Sequence, residues 1–100
     1  MSFIYILRLT PHYKAESNWD EVSNRTIESH FLYLKSLHEK GLATFVGRTD
    51  YETDHADLFG LCVLNTEQYK EAEAIMHNDP AIKFGIMEGD IPPFNTIFSN

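Results

Sequence analysis

The sequence has one cysteine, no run of basic residues and no apolar stretch approaching membrane length. Each scarcity excludes something. Cys62 has no intramolecular partner, so no disulfide braces the fold, and its apolar setting, FGLCVL, suits a small hydrophobe better than a nucleophile. Lys and Arg total 8 against 15 acidic residues, a formal net charge of -7. Nucleic-acid binding needs clustered cations, so nucleic acid is not an expected partner. A membrane-spanning helix needs about 20 consecutive apolar residues, and none occurs, so no membrane partner is expected either. No secretory leader is recognisable, and together with the lone thiol this leads to an expected cytoplasmic location. Phosphate-cradling glycine loops, a dinucleotide fingerprint and a G-x-S-x-G elbow are also missing.

What is present suits one domain over residues 1–100. An apolar content of 43% supports a single modest core, and a partner subunit would help so short a chain bury more surface. Ser2 to Leu9 is a compact run rich in Phe, Ile and Tyr that reads as a strand with both faces apolar. Thr10 to Ser17 opens with proline and reads as a loop. A long amphipathic helix is expected to start between Ser17 and Asn24, capped by Ser17 with Asp20 or by Ser23 or Asn24, and to stop at Gly41. Its stripe holds Ile27, His30, Phe31, Leu34 and Leu37.

Strands are expected at Leu42 to Arg48 and Ala56 to Leu64, joined by the acidic loop TDYETDH. Thr66 is placed to cap a second helix ending near Asn78, and DPAIKFG reads as a connector. The last segment carries Pro92-Pro93, which confines any strand there to an edge or a bulge. The order strand, helix, strand, strand, helix, strand is the split βαβ, ferredoxin-like α+β pattern: a four-stranded antiparallel sheet with two helices on one face. The other face would be bare yet apolar, which predicts a homodimer with two sheets face to face.

Two residues stand out chemically. His30 lies on the apolar stripe; a histidine there serves either as an acid or base working near neutral pH or as a buried residue satisfied by a carbonyl. Asp79, before Pro80, either caps the following turn or orients a histidine. The acidic loop, with Asp50, Glu52, Asp54, His55 and Asp57, has neither calcium-loop nor zinc spacing, so no metal site is expected there. His38 and His77 are expected to meet the carbonyl ends of their helices.

His30 followed by FLYLKSLHEKGLATFVG, then Asp79-Pro80, Gly85 and Pro93-Phe94, with Arg25 upstream, resembles the YciI-like (YCII-related) proteins. The resemblance implies a dimeric α+β barrel and an active site in which His30 and Asp79 are the catalytic pair. It also implies cofactor-free chemistry, since similar proteins include a dehydrochlorinase of a chlorinated hydroxyquinol, monooxygenases without cofactors and muconolactone-type isomerases. Arg48 departs from the pattern, where proline is common after the glycine. The expected ligand is a small cyclic or aromatic molecule bound among Tyr5, Phe31 and Phe45, with Arg8 or Arg48 offering a cation to an anionic or phenolate group. The alternative is a non-catalytic dimeric module that binds a small ligand or a partner protein.

Overall fold

The computed structural model describes residues 2–99. Strand β1 (Ser2–Leu9) is the apolar run at the start of the chain. It gives way at Thr10-Pro11 to two 3-10 turns, Pro11–Lys14 and Glu16–Asn18, where the composition had suggested open loop. The turns are pinned by Trp19, whose Nε1 donates to the Tyr13 carbonyl at 2.8 Å. Helix α1 (Glu21–Glu39) is capped by Asp20, not by Ser17, Ser23 or Asn24. The Ser23 amide donates to Asp20 Oδ1 at 2.9 Å and the Asp20 amide donates to Ser23 Oγ at 2.8 Å, a reciprocal capping box. The Ser23 amide, together with the Ser23 hydroxyl 3.0 Å from the same Oδ1, holds the Asp20 carboxyl below the usual carboxylate range. Gly41 ends the helix at φ +78, a left-handed conformation that costs a residue with a Cβ.

Strands β2 (Ala43–Arg48) and β3 (Gly60–Asn65) follow. β3 starts at Gly60 rather than Ala56 because Thr49 closes the intervening loop. Its amide donates to the Phe59 carbonyl at 3.0 Å, and its hydroxyl donates to the Asp57 carbonyl at 2.9 Å. Helix α2 (Tyr69–His77) starts after Gln68 without a side-chain cap, so Thr66 does not play that part. The connector is itself a helical turn, α3 (Pro80–Lys83), with Asp79 as N-cap and Pro80 in the first turn, where its missing N–H costs nothing. Edge strand β4 (Met87–Asp90) stops before Pro92-Pro93.

The sheet order is β2-β3-β1-β4 with every pairing antiparallel, the ferredoxin-like arrangement. Register sorts the faces. Tyr5 opposite Cys62 and Leu7 opposite Gly60 point toward the helices. There Tyr5, Leu7, Cys62 and Leu64 join Leu34, Leu37, Ala72 and Met76 in one core. Ile4 opposite Val63 and Ile6 opposite Leu61 point to the other face, which the helices leave bare.

Helix α3 sits close to β4 because residue 89 is glycine: a Cβ there would lie 2.6 Å from Ile82 Cδ1 and 2.8 Å from Met76 Sδ. That approach fixes where Asp79 stands. Among the described residues no helix is long and apolar enough to cross a membrane.

Candidate active site

Helix α1 packs on β2 and α3, and its stripe divides accordingly. Leu34 and Leu37 enter the core, whereas Phe31 remains exposed. His30 faces the end of α2. Its Nδ1 lies 2.7 Å from Asp79 Oδ1, with both side chains buried. The same Oδ1 accepts from the Ala81 amide at 3.0 Å, and Oδ2 accepts from the Tyr5 hydroxyl at 3.2 Å. Asp79 therefore fills both roles open to it, cap of α3 and partner of His30. Its burial is complete, and three donors supply the hydrogen bonds that a carboxylate removed from water requires.

Against an ionised carboxylate, which only accepts, Nδ1 is the nitrogen that carries a hydrogen, and in a neutral ring Nε2 then presents a lone pair. Nε2 has no protein partner among the described residues, yet no buried side-chain nitrogen or oxygen there is left unpaired. Nε2 is thus the accessible end of the ring. It opens onto a cleft of about 480 Å³ between α1, the cleft-side ends of β1 and β2, and the 49–59 loop.

The cleft walls are mainly apolar, including Leu7, Leu9, Trp19, Phe31 and Met87. Of the residues expected to contact a ligand, Phe31 and Arg48 line it beside His30. Tyr5, Arg8 and Phe45 do not. Tyr5 points into the core by the strand alternation and stands behind Asp79. Arg8 faces the other side of the sheet, its guanidinium 5.6 Å from the Phe59 ring centre. Phe45 pairs with Val63 and is exposed on that same bare face. The cleft lies on the helix side of the sheet.

Burial suppresses ionisation around Asp79. It pushes the Cys62 thiol up to about 12. Tyr33 is pushed up to about 12 by burial, with the Asp79 charge adding to it, and Tyr5 is pushed higher still for the same leading reason. All three are neutral at physiological pH, so Tyr5 donates to Asp79 and Cys62 is no thiolate nucleophile.

Trp19 and Tyr5 carried signals that pattern reading underused. The sole tryptophan lies beside a helix cap, and an inward tyrosine on a core strand needs a hydrogen-bond partner. The 49–59 loop behaves as a closed turn: Tyr51 and His55 stack at 3.9 Å, and the Asp57 amide donates to His55 Nδ1 at 3.0 Å. Among the described residues no group of three His, Cys, Asp or Glu is arranged to hold a metal. His38 Nδ1 bonds the Ala43 carbonyl at 2.8 Å, beyond the helix end rather than on it.

The YCII-related domain matches residues 4–95. No curated protein matches the chain. Among solved structures, the chain is similar to 5-chloro-2-hydroxyhydroquinone dehydrochlorinase from Burkholderia phenoliruptrix AC1100, solved in complex with 2,5-dihydroxybenzoquinone. The TM-score is 0.67 at 18% identity, covering 95% of this chain and 94% of that one. At that identity the likeness speaks for the fold, and the fold agrees with the strand order above. The domain match spans nearly the whole sequence, and the chain belongs to the YCII-related family.

Proposed function

We propose that the protein is a small cofactor-independent enzyme in which His30 transfers a proton on a small cyclic or aromatic molecule, in a dehydrochlorinase-like or isomerase-like reaction. One observation carries this reading: a buried 2.7 Å His30–Asp79 contact whose other imidazole nitrogen opens onto an apolar-walled cleft. Nε2 takes a proton from the bound ring, and the imidazolium keeps its Nδ1–H on Asp79, which stabilises the charge. In an elimination, the electron pair of the broken bond to hydrogen forms the new double bond and chloride departs with its own pair. In an isomerisation, Nε2 returns the proton to a different ring atom. The similar dehydrochlorinase, whose name gives a chlorinated hydroxyhydroquinone, supports a substrate of this size. A cleft of about 480 Å³ suits one such ring.

The test is the His30 ring in two-bond 1H–15N spectra, assigned by its loss in His30→Ala. Wild type is expected to show the Nδ1-protonated pattern, and Asp79→Asn a redistributed tautomer mixture. An identical pattern in both proteins would sink the dyad and leave the non-catalytic binding module as the better reading.

The proposal extends to a homodimer joined through the bare sheet face, supported by the apolar Ile6, Leu61 and Val63 and by the exposed Phe45. Sedimentation is expected to give twice the 11.6 kDa chain mass for wild type and a single chain mass for Val63→Glu. A monomeric wild type at micromolar concentration would overturn this part alone.

A further inference from the structure

We infer that Arg48 is the anion anchor of the cleft, and that the ligand is a flat apolar ring carrying one ionised oxygen, a phenolate or a carboxylate. The inference rests on reading the cleft as a ring-binding site and adds the ligand's charge. Among the residues that line the cleft, the ionisable ones are His30, Cys62 and Arg48, and none is a carboxylate. In a chain with 15 acidic and 8 basic residues, an acid-free cavity wall holding one permanent cation is a selective environment.

The fold creates this environment in three ways. Arg48 pairs with Gly60 and Val46 with Cys62, so Arg48 faces the cleft side of β2. Gly60 puts no side chain of its own across from it, and a Cβ there would meet the Leu7 side chain at 3.6 Å. Two acids of the neighbouring loop turn away: Glu52 and Asp54 line a separate depression with Lys14 and Glu16, and Thr53 is the member of that group shared with the cleft.

Arg48 is also uncommitted. The ion pairs among the described residues are Arg25–Glu21 and His30–Asp79, so its guanidinium has no carboxylate of a described residue within ion-pair distance. Beside an apolar wall, a guanidinium favours a planar oxyanion that it can grip with two N–H groups. A neutral ring offers it no charge to neutralise.

Trp19 lines the cleft and is the sole tryptophan, so its fluorescence reports occupancy. Benzoate and 4-nitrophenolate are titrated against the neutral rings benzamide and benzyl alcohol, with wild type, Arg48→Met and Arg48→Lys. Wild type is expected to prefer the anions. Arg48→Met is expected to lose about 10- to 100-fold in affinity for them while holding benzamide unchanged. Arg48→Lys is expected to recover part of the loss, and added salt to weaken only the anions. If carboxylate and phenolate differ, the tighter one names the source of the charge. Equal binding of anions and neutral rings in wild type, full anion affinity in Arg48→Met, or no binding of any ring would each overturn the inference. The His30 tautomer experiment reads proton transfer separately, so either result can fail while the other stands.

Discussion

Asp79→Ala is expected to lower folding stability by about 3–5 kcal/mol, and His30→Ala by about 1–2 kcal/mol. The asymmetry follows from what each change strands. Asp79 is the acceptor for the His30 ring, the Tyr5 hydroxyl and the Ala81 amide, all in the interior. Removing it leaves buried donors unmet at about 1–3 kcal/mol each, less than additively because they share one cavity, and removes the cap of α3. His30→Ala removes one donor from a carboxylate that keeps two, and the gap it leaves adjoins the cleft, where water can enter. Tyr5→Phe, which leaves only Oδ2 without its donor, is expected to fall between them or near His30→Ala. Urea unfolding followed by far-UV circular dichroism, compared at matched m-values, measures all three. Equal losses for Asp79→Ala and His30→Ala would mean that the carboxylate is not the hub of the network.

The second large effect is expected in turnover. For any ring substrate that wild type converts, His30→Gln is expected to reduce kcat by about 10²–10⁴-fold, the usual contribution of a positioned acid or base. Glutamine retains a polar group beside Asp79 but cannot accept and return a proton at the Nε2 position. Ring affinity, read through Trp19 fluorescence, is expected to change little, because the apolar walls and Arg48 are untouched. A loss confined to KM would assign His30 to binding. Wild-type kcat in a folded His30→Gln would remove it from the chemistry altogether. Cys62 offers no substitute route, since burial keeps its thiol protonated.

The two effects share an economy of placement. Asp79 is held by a strand residue, a helix residue and the backbone of its own turn, so three elements meet at one carboxylate. A group fixed from three directions keeps its partner imidazole oriented, as the proposed proton transfer requires. The same convergence makes the site expensive to disturb, and the carboxylate is more deeply tied into the fold than the histidine it serves.

The strand at the start of the chain, the long helix with its glycine stop, the order of elements and the resulting sheet were legible in the sequence. Each depends on residues within a few positions of one another: alternation, a helical stripe, a left-handed glycine, a proline that stops a strand. Even the two readings of Asp79 were legible, although the pattern set them against each other. Misread features were those in which two local signals compete. Ala56 to Phe59 are apolar enough for a strand, but the Thr49 closure holds them as loop. Asp20, rather than its serine neighbours, caps α1 because its carboxylate and the Ser23 hydroxyl answer one another.

Tertiary structure alone decided the site. His30 and Asp79 are separated by 49 residues and Tyr5 and Asp79 by 74, distances over which periodicity carries no information. They meet because β1 lies inside the sheet, because α1 crosses to α3, and because Gly89 lets α3 settle onto β4. Which arginine faces the cleft was decided in the same way, since Arg8 and Arg48 look alike until strand register sends one to each face. The sequence by itself determined which residues could do chemistry and which elements would carry them. Docking of those elements determined which residues touch, because contacts between distant parts of a chain are set by packing and register rather than by local preference.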